Sequence, residues 1–288
     1  MKLLITPQDG LAPIVRAVRK AKKSIDIAIF RFDRTELEEA LGAAVDRGVA
    51  VRALIAHTNR GGDKTLRKLE LRLLQAGIRV ARTADDLPRY HGKFMIVDDV
   101  LYVLGFNYTK LDMDKSRSFG LITQDKKVVK EAAMLFEADS TRQVYAPAHE
   151  RLVVSPESSR VRLSGFIKAA RKQLLIYDQS VTDNGMQKIL QERAKAGVEI
   201  RVLGKVEKNM EGIERRKLVT HRLHVRAMIR DGSGAFVGSQ SLRKLELDGR
   251  REVGLIIINT GIAKAMQSVF EADWAASATP KTDATSVA

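Results

Sequence analysis

Two short stretches carry side chains suited to anion chemistry. The first is Tyr90-His91-Gly92-Lys93-Phe94-Met95-Ile96-Val97-Asp98, with Gly105-Phe106-Asn107 behind it. Between its polar ends it is apolar and holds a β-branched pair, which predicts a strand. Residues two apart on an extended chain share a face, so His91 and Lys93 point the same way. An imidazole beside a fixed ammonium suits the handling of an anion. The second stretch is His224-Val225-Arg226-Ala227-Met228-Ile229-Arg230-Asp231, followed by Gly238-Ser239-Gln240-Ser241. It repeats the spacing with Arg for Lys. One copy alone reads equally as a strand with a chance His and Lys, and the repetition separates signal from chance.

The elements that must position these residues repeat as well. Ile5-Thr6-Pro7 matches Val154-Ser155-Pro156, Ala21-Lys22-Lys23 matches Ala170-Arg171-Lys172, and Gly48 matches Gly197, all at a spacing of 149. The two His are only 133 apart, so the second half has lost about 16 residues before its His. In the first half, apolar spacing predicts a helix over 10–23, a strand from Ser24 to Phe30, and a helix from Glu36 to Arg47 capped by Gly48. A strand from Val49 to Ile55, a helix from Leu66 to Gln75 and a strand from Gly77 follow. The His91 strand, Leu101 to Leu104, Ser118 to Ile122 and a helix from Lys126 to Asp139 complete it. The second half repeats the order and ends in a helix through Trp274. Alternating helices and strands predict an α/β fold, each half a layered unit, the two packed pseudo-symmetrically. The expected domains are 1–149 and 150–276, with 277–288 a frayed tail.

The pattern His-x-Lys-x-x-x-x-Asp, present twice and each time followed by a Gly/Ser/Asn turn, resembles the phospholipase D superfamily. His91, Lys93 and Asp98 match in full with Asn107 at the turn, and His224, Asp231, Gly238 and Ser239 match in the second copy. Arg226 departs from the family Lys, Ser241 stands where Asn is usual, and the first turn is one residue short and lacks its Ser. The resemblance implies two α/β units with mixed sheets flanked by helices and an active site at their seam. It implies metal-free chemistry, in which one His attacks phosphorus and the other protonates the leaving oxygen. Lys93 and Arg226 would hold the phosphate oxygens, with Asn107, Ser239 and Ser241 adding hydrogen bonds. Asp98 and Asp231 complete the two motifs and are read as braces. The family pattern also implies an acid after each motif that orients the opposite His. Glu252 supplies it in the second half, whereas Ser118 stands in the first. On that asymmetry His91, with Glu252 stabilising its cationic form, is the expected nucleophile and His224 the acid/base. Arg226→Lys, restoring the family residue, is expected to retain or raise activity.

Composition limits the alternatives. No apolar run approaches the roughly 20 residues of a membrane-spanning helix. Met1 to Pro7 turns polar too soon for a signal peptide, and the chain contains 0 Cys. The expectation is a cytoplasmic monomer, peripheral at a membrane if lipid is its substrate. A net charge of +15 favours a polyanionic partner, either an anionic membrane face or nucleic acid. The excess is shared: residues 1–150 carry 26 Lys/Arg against 20 Asp/Glu, and the remainder 24 against 15. The densest basic patch, Arg201 to Arg226, reads either as a solvated helix face or, from its approach to His224, as a substrate-side surface.

No cofactor or metal is expected. His221 and His224 could pair on a helix face as ligands, but no Cys or carboxylate cluster joins them. Gly61-Gly62 lacks a phosphate-loop Lys, His57 and His149 have no sequence partners, and Trp274 with Phe270 reads as core. Three functions follow: a phosphodiesterase that hydrolyses or transfers phospholipid head groups, a nuclease using the same site, or a degenerate anion-binding protein. Arg226, Ser118, Ser241 and the short turn motivate the last. Substrate choice is assigned to the loops Asn59–Asp63 and Lys205–Thr220.

Overall fold

The computed structural model describes residues 1–59, 62–206 and 210–277. Most of the segment read as a tail, residues 278–288, lies outside the described residues, as do 60–61 and 207–209 within the two loops just named.

The first half runs β1 (Lys2–Thr6), α1 (Ala12–Lys20), β2 (Ser24–Ile29), α2 (Thr35–Asp46), β3 (Ala50–Ile55), α3 (Gly62–Gln75) and β4 (Arg79–Arg82). It continues with β5 (Phe94–Val97), β6 (Val100–Leu104), α4 (Lys110–Lys115), β7 (Ser116–Thr123) and α5 (Lys126–Thr141). The second runs β8 (Leu152–Val154), α6 (Ser159–Lys168), β9 (Gln173–Val181), α7 (Asn184–Lys195), β10 (Glu199–Val206), β11 (Ile213–Arg216) and β12 (Arg222–Leu223). It ends with β13 (Ala227–Arg230), β14 (Gly234–Gly238), α8 (Lys244–Asp248), β15 (Val253–Ile258) and α9 (Thr260–Ala275). The first sheet is ordered β1-β7-β6-β5-β2-β3-β4 and the second β8-β15-β14-β13-β9-β10-β11, element for element the same. Each is mixed: β2, β3 and β4 run parallel, while β5, β6, β7 and β1 are antiparallel. The shorter spacing between the two His has a structural cause, because no counterpart of α3 lies between β10 and β11 among the described residues.

The helix caps follow local chemistry. Gly48 at φ +83° and Gly197 at φ +85° follow α2 and α7, where a left-handed residue lets the chain turn back. The basic patch from Arg201 to Arg226 contains no helix among the described residues. It forms β10, β11 and β12, and in β10 buried Ile200 and Val202 alternate with more exposed Glu199 and Arg201, a period of two.

The two sheets share one core. Phe94, Val103, Phe119 and Leu121 from the first pack with Tyr177, Ala227, Val237 and Leu255 from the second, and α5 and α9 close its sides. Phe270 and Trp274 stack within it. Outer cores lie under α1, α2 and α3 and under α6 and α7.

Two buried ion pairs cross the seam at matching places. Arg117 of β7 bonds Asp273 of α9 at 2.7 Å, and Arg251, just before β15, reaches Asp139 of α5 at 3.1 Å. Removing one partner of such a pair leaves a buried charge uncompensated, at a cost of about 3–5 kcal/mol. Burial pushes the Asp139 carboxyl up to about 6, against the pull of Arg251.

Candidate active site

Backbone pairing across the seam positions the site. Tyr90 bridges Arg251, with His91 N donating to Arg251 O at 2.7 Å. In the pseudo-equivalent place β12 pairs with β7, Leu223 opposite Arg117. Each His therefore lies next to the last residue pairing with the other half, and the following residue of the partner strand is Glu252 in one case and Ser118 in the other.

On the first side, His91 Nδ1 lies 2.8 Å from Glu252 Oε2. A carboxylate only accepts, so Nδ1 carries the proton and the Nε2 lone pair is left for other work. The edge of Phe30 meets the ring at 4.5 Å between centroids. Lys93, fully buried, donates to His91 O at 2.7 Å and lies 2.9 Å from Nε2. Burial brings the Lys93 ammonium down to about 7; Glu252 resists this and Arg226 adds to it. Burial first, then Lys93, Arg226, Arg250 and Arg89, hold the His91 imidazole well below its ordinary range. Glu252 fixes the orientation of the His91 ring. Burial raises the Glu252 carboxyl itself, and Lys93 opposes that.

The second side is built differently. His224 Nδ1 lies 3.4 Å from Asp112 Oδ2 and makes no hydrogen bond among the described residues. Burial and then Arg226 hold this imidazole well below its ordinary range. Arg226 is buried and donates Nη2 to Gln179 Oε1 at 2.9 Å, while its Nε and Nη1 have no partner among the described residues. Gln179 stands where the first half has Phe30. Lys93 acts on His224 and Arg226 acts on His91, so one cationic seam serves both imidazoles.

Other sequence-selected residues are placed differently. Asp98 and Asp231, grouped with the catalytic residues by the motif, lie at the far ends of β5 and β13 from the His. Asp98 accepts from the backbone N–H of Lys22, Lys23 and Ser24, and Asp231 from those of Arg171, Lys172 and Gln173. Their φ angles of +50° and +51° turn the chain into the next strand. They brace the fold and touch no reacting group. Ser239 accepts from Val253 N at 3.0 Å and its side chain also bonds Glu252, and Ser241 donates to buried Asp178. Asn107 gives its amide to Asp112 at 2.6 Å, and its Oδ1 has no partner among the described residues. The Ser118 hydroxyl is buried and likewise unpartnered among them. His221 bonds Thr220 beside an extended strand and shares no helix face with His224. Asp112 was not selected from sequence. Its signal is a matched spacing: Asn107 to Asp112 equals Ser241 to Glu246.

The chain belongs to the phospholipase D superfamily. The family model described as "Cardiolipin synthase, PLD-like domain" matches residues 14–140 and 163–274, one stretch in each half. Among curated proteins, the chain is 29% identical over 151 residues to the "Mitochondrial cardiolipin hydrolase" of Mus musculus, covering 50% of this chain and 66% of that protein. It therefore spans just under two thirds of that relative's length. Two solved structures share the fold across 95% of this chain. They are a polyphosphate kinase from Porphyromonas gingivalis (TM-score 0.78, 17% identity, 50% of that chain) and a phosphatidylserine synthase from Haemophilus influenzae Rd KW20 (TM-score 0.72, 11% identity, 85% of that chain).

Proposed function

We propose that this chain is a phospholipase D-type phosphodiesterase that acts on phospholipid head groups through a phosphohistidine. The observation that carries the reading is the His91–Glu252 contact across the seam, beside two buried cations. In the first step His91 Nε2 attacks phosphorus, its Nδ1 proton held by Glu252, and the bond to the leaving alcohol breaks. His224, which takes up a proton as the anionic phosphate binds beside it, gives that oxygen its proton. In the second step His224 takes a proton from water or an acceptor alcohol, whose oxygen attacks phosphorus as the P–N bond breaks. Lys93 and the unpartnered face of Arg226 hold the non-bridging oxygens. Both motifs lie in one chain, so a monomer completes the site.

The relative named for cardiolipin hydrolysis and the neighbour named for phosphatidylserine synthesis support a lipid substrate. No helix among the described residues is long and apolar enough to cross a membrane, so lipid would be met at an anionic surface. The +15 charge favours a second reading, a nuclease using the same site. The test offers purified protein labelled phospholipid vesicles and single- and double-stranded nucleic acid, all with EDTA. Head-group release alone supports the lipid reading, strand cleavage alone replaces it with the nuclease, and inactivity on every substrate refutes both.

A further inference from the structure

We infer that Asp112 is the positioning carboxylate of His224, acting from α4 in place of the acid that β7 lacks. The two halves keep the same spacing after the turn: Asn107, Asp112 and Ser118 correspond to Ser241, Glu246 and Glu252. In the second half the strand acid, Glu252, meets His91, while the helix acid, Glu246, is held by Arg243 and by Arg250 at 2.9 Å. In the first half the strand position is Ser118, whose hydroxyl meets no partner among the described residues. Asp112 is turned inward instead and is buried.

Its carboxylate is held on several sides. Asn107 donates its backbone N–H at 3.0 Å and its amide at 2.6 Å to Oδ2, and Arg222 donates to Oδ1 at 2.7 Å. The Thr109 hydroxyl accepts from the Asp112 N–H at 3.3 Å, which fixes the first turn of α4. Oδ2 then faces His224 Nδ1 at 3.4 Å. The charged groups around His224 are Arg226, Lys93 and Arg222, which disfavour its cation, and Asp112, which alone among these favours it.

The two carboxylates give the histidines different freedom. Glu252 holds His91 at 2.8 Å with one oxygen, whereas Asp112 shares its charge with Asn107 and Arg222 and stands off at 3.4 Å. A nucleophile needs a fixed ring, while an acid/base must release a proton in the first step and take one up in the second. Formation of the His224 cation draws Asp112 into a hydrogen bond, which stabilises that cation when catalysis needs it.

The kinetic part of the test rests on the phosphodiesterase reading, and the spectroscopic part does not. Asp112→Asn removes the charge at nearly constant volume. In 15N-histidine-labelled full-length protein, NMR titration should show the His224 pKa falling by about one unit. Asn107→Ala frees Asp112 Oδ2 of the amide bond it accepts at 2.6 Å without removing a charge, so it should move the His224 pKa upward; this arm decides the matter if Asp112→Asn does not fold. An unmoved His224 pKa in the folded variant overturns the proposal. With methyl aryl phosphodiesters, kcat/KM of Asp112→Asn should fall by about threefold or less for a p-nitrophenolate leaving group and about 30-fold or more for phenolate, because only the latter needs protonation. An equal loss on both esters marks Asp112 as merely structural and overturns the proposal. Wild-type inactivity on every ester refutes the phosphodiesterase reading instead and leaves the NMR arm to judge Asp112.

Discussion

Replacing Glu252 with Gln keeps the shape of the side chain and removes its charge. The buried oxygen that meets His91 Nδ1 at 2.8 Å can still accept as an amide, so the ring keeps its tautomer. What is lost is the charge-assisted share of the bond as His91 becomes cationic on attacking phosphorus. Hydrogen bonds to charged groups are worth about 1.5–3 kcal/mol against about 0.5–1.5 for neutral ones, a loss of about 1–1.5 kcal/mol. At about 1.4 kcal/mol per tenfold, kcat should fall roughly 5- to 12-fold, with KM changed far less. A second effect follows from Lys93. Glu252 is the strongest influence holding the Lys93 pKa up at about 7. Without that charge the ammonium loses its proton at lower pH, so the basic limb of kcat/KM should move down. Stopped-flow release of p-nitrophenolate from bis(p-nitrophenyl) phosphate between pH 5 and about 9 reads both effects. A Glu252→Gln enzyme within about twofold of wild type, with an unmoved basic limb, would falsify the assigned role of Glu252.

Lys93→Met should abolish turnover yet raise thermal stability. The folded pKa of about 7 lies below the ordinary 10.5, so folding disfavours the ammonium. The stability associated with neutral Lys93 is present above about pH 10.5 and is lost as pH falls through about 7. The gain from Lys93→Met should therefore be largest below pH 7, and a Tm lowered there would contradict it. Arg226→Lys should lose activity rather than retain it, because the shorter chain leaves Gln179 Oε1 without the donor it has at 2.9 Å. Adding Gln179→Phe recreates the Phe30–Lys93 arrangement and should recover part of the loss, and a double variant no better than the single one would count against this. Asp98→Ala removes three accepted N–H bonds and should destabilise by about 2–4 kcal/mol in urea melts while kcat per folded molecule holds. Activity should survive EDTA, since two His and two cations supply nucleophile, acid and charge stabilisation; loss restored by a divalent ion would contradict the mechanism.

Much of the site was legible because its signals are local. His91 and Lys93 share a face through the period of a strand, and the matched spacings of the two halves anticipate two matched sheets. Glu252 could be singled out from the family pattern, since the strand carrying it follows each motif at a set distance. Asp112 left only the spacing it shares with Glu246, because its reach depends on the turn after Asn107 and on a short helix with no periodicity to read. Ser239 and Ser241 have the right residue types for phosphate, but Val253 and Asp178 engage them through tertiary contacts. The patch from Arg201 to Arg226 suggested a helix face where the chain forms two short strands, Ile213–Arg216 and Arg222–Leu223, too short for their alternation to show. The exchange of Phe30 and Lys93 for Gln179 and Arg226 is visible only when β2 and β9 are laid over one another.

The central claim is that His91 forms the covalent bond to phosphorus. The most direct measurement mixes His224→Asn and His91→Asn proteins separately with bis(p-nitrophenyl) phosphate, quenches in alkaline detergent, and maps the phosphoryl group by mass spectrometry. In His224→Asn the first step still runs, because p-nitrophenolate departs with little protonation, and the second lacks its base. A stable adduct should therefore accumulate on His91, with one p-nitrophenolate released per site and none in His91→Asn. An adduct on His224 in the His91→Asn protein would reverse the assignment, and an active wild type yielding no adduct in either variant would contradict the mechanism.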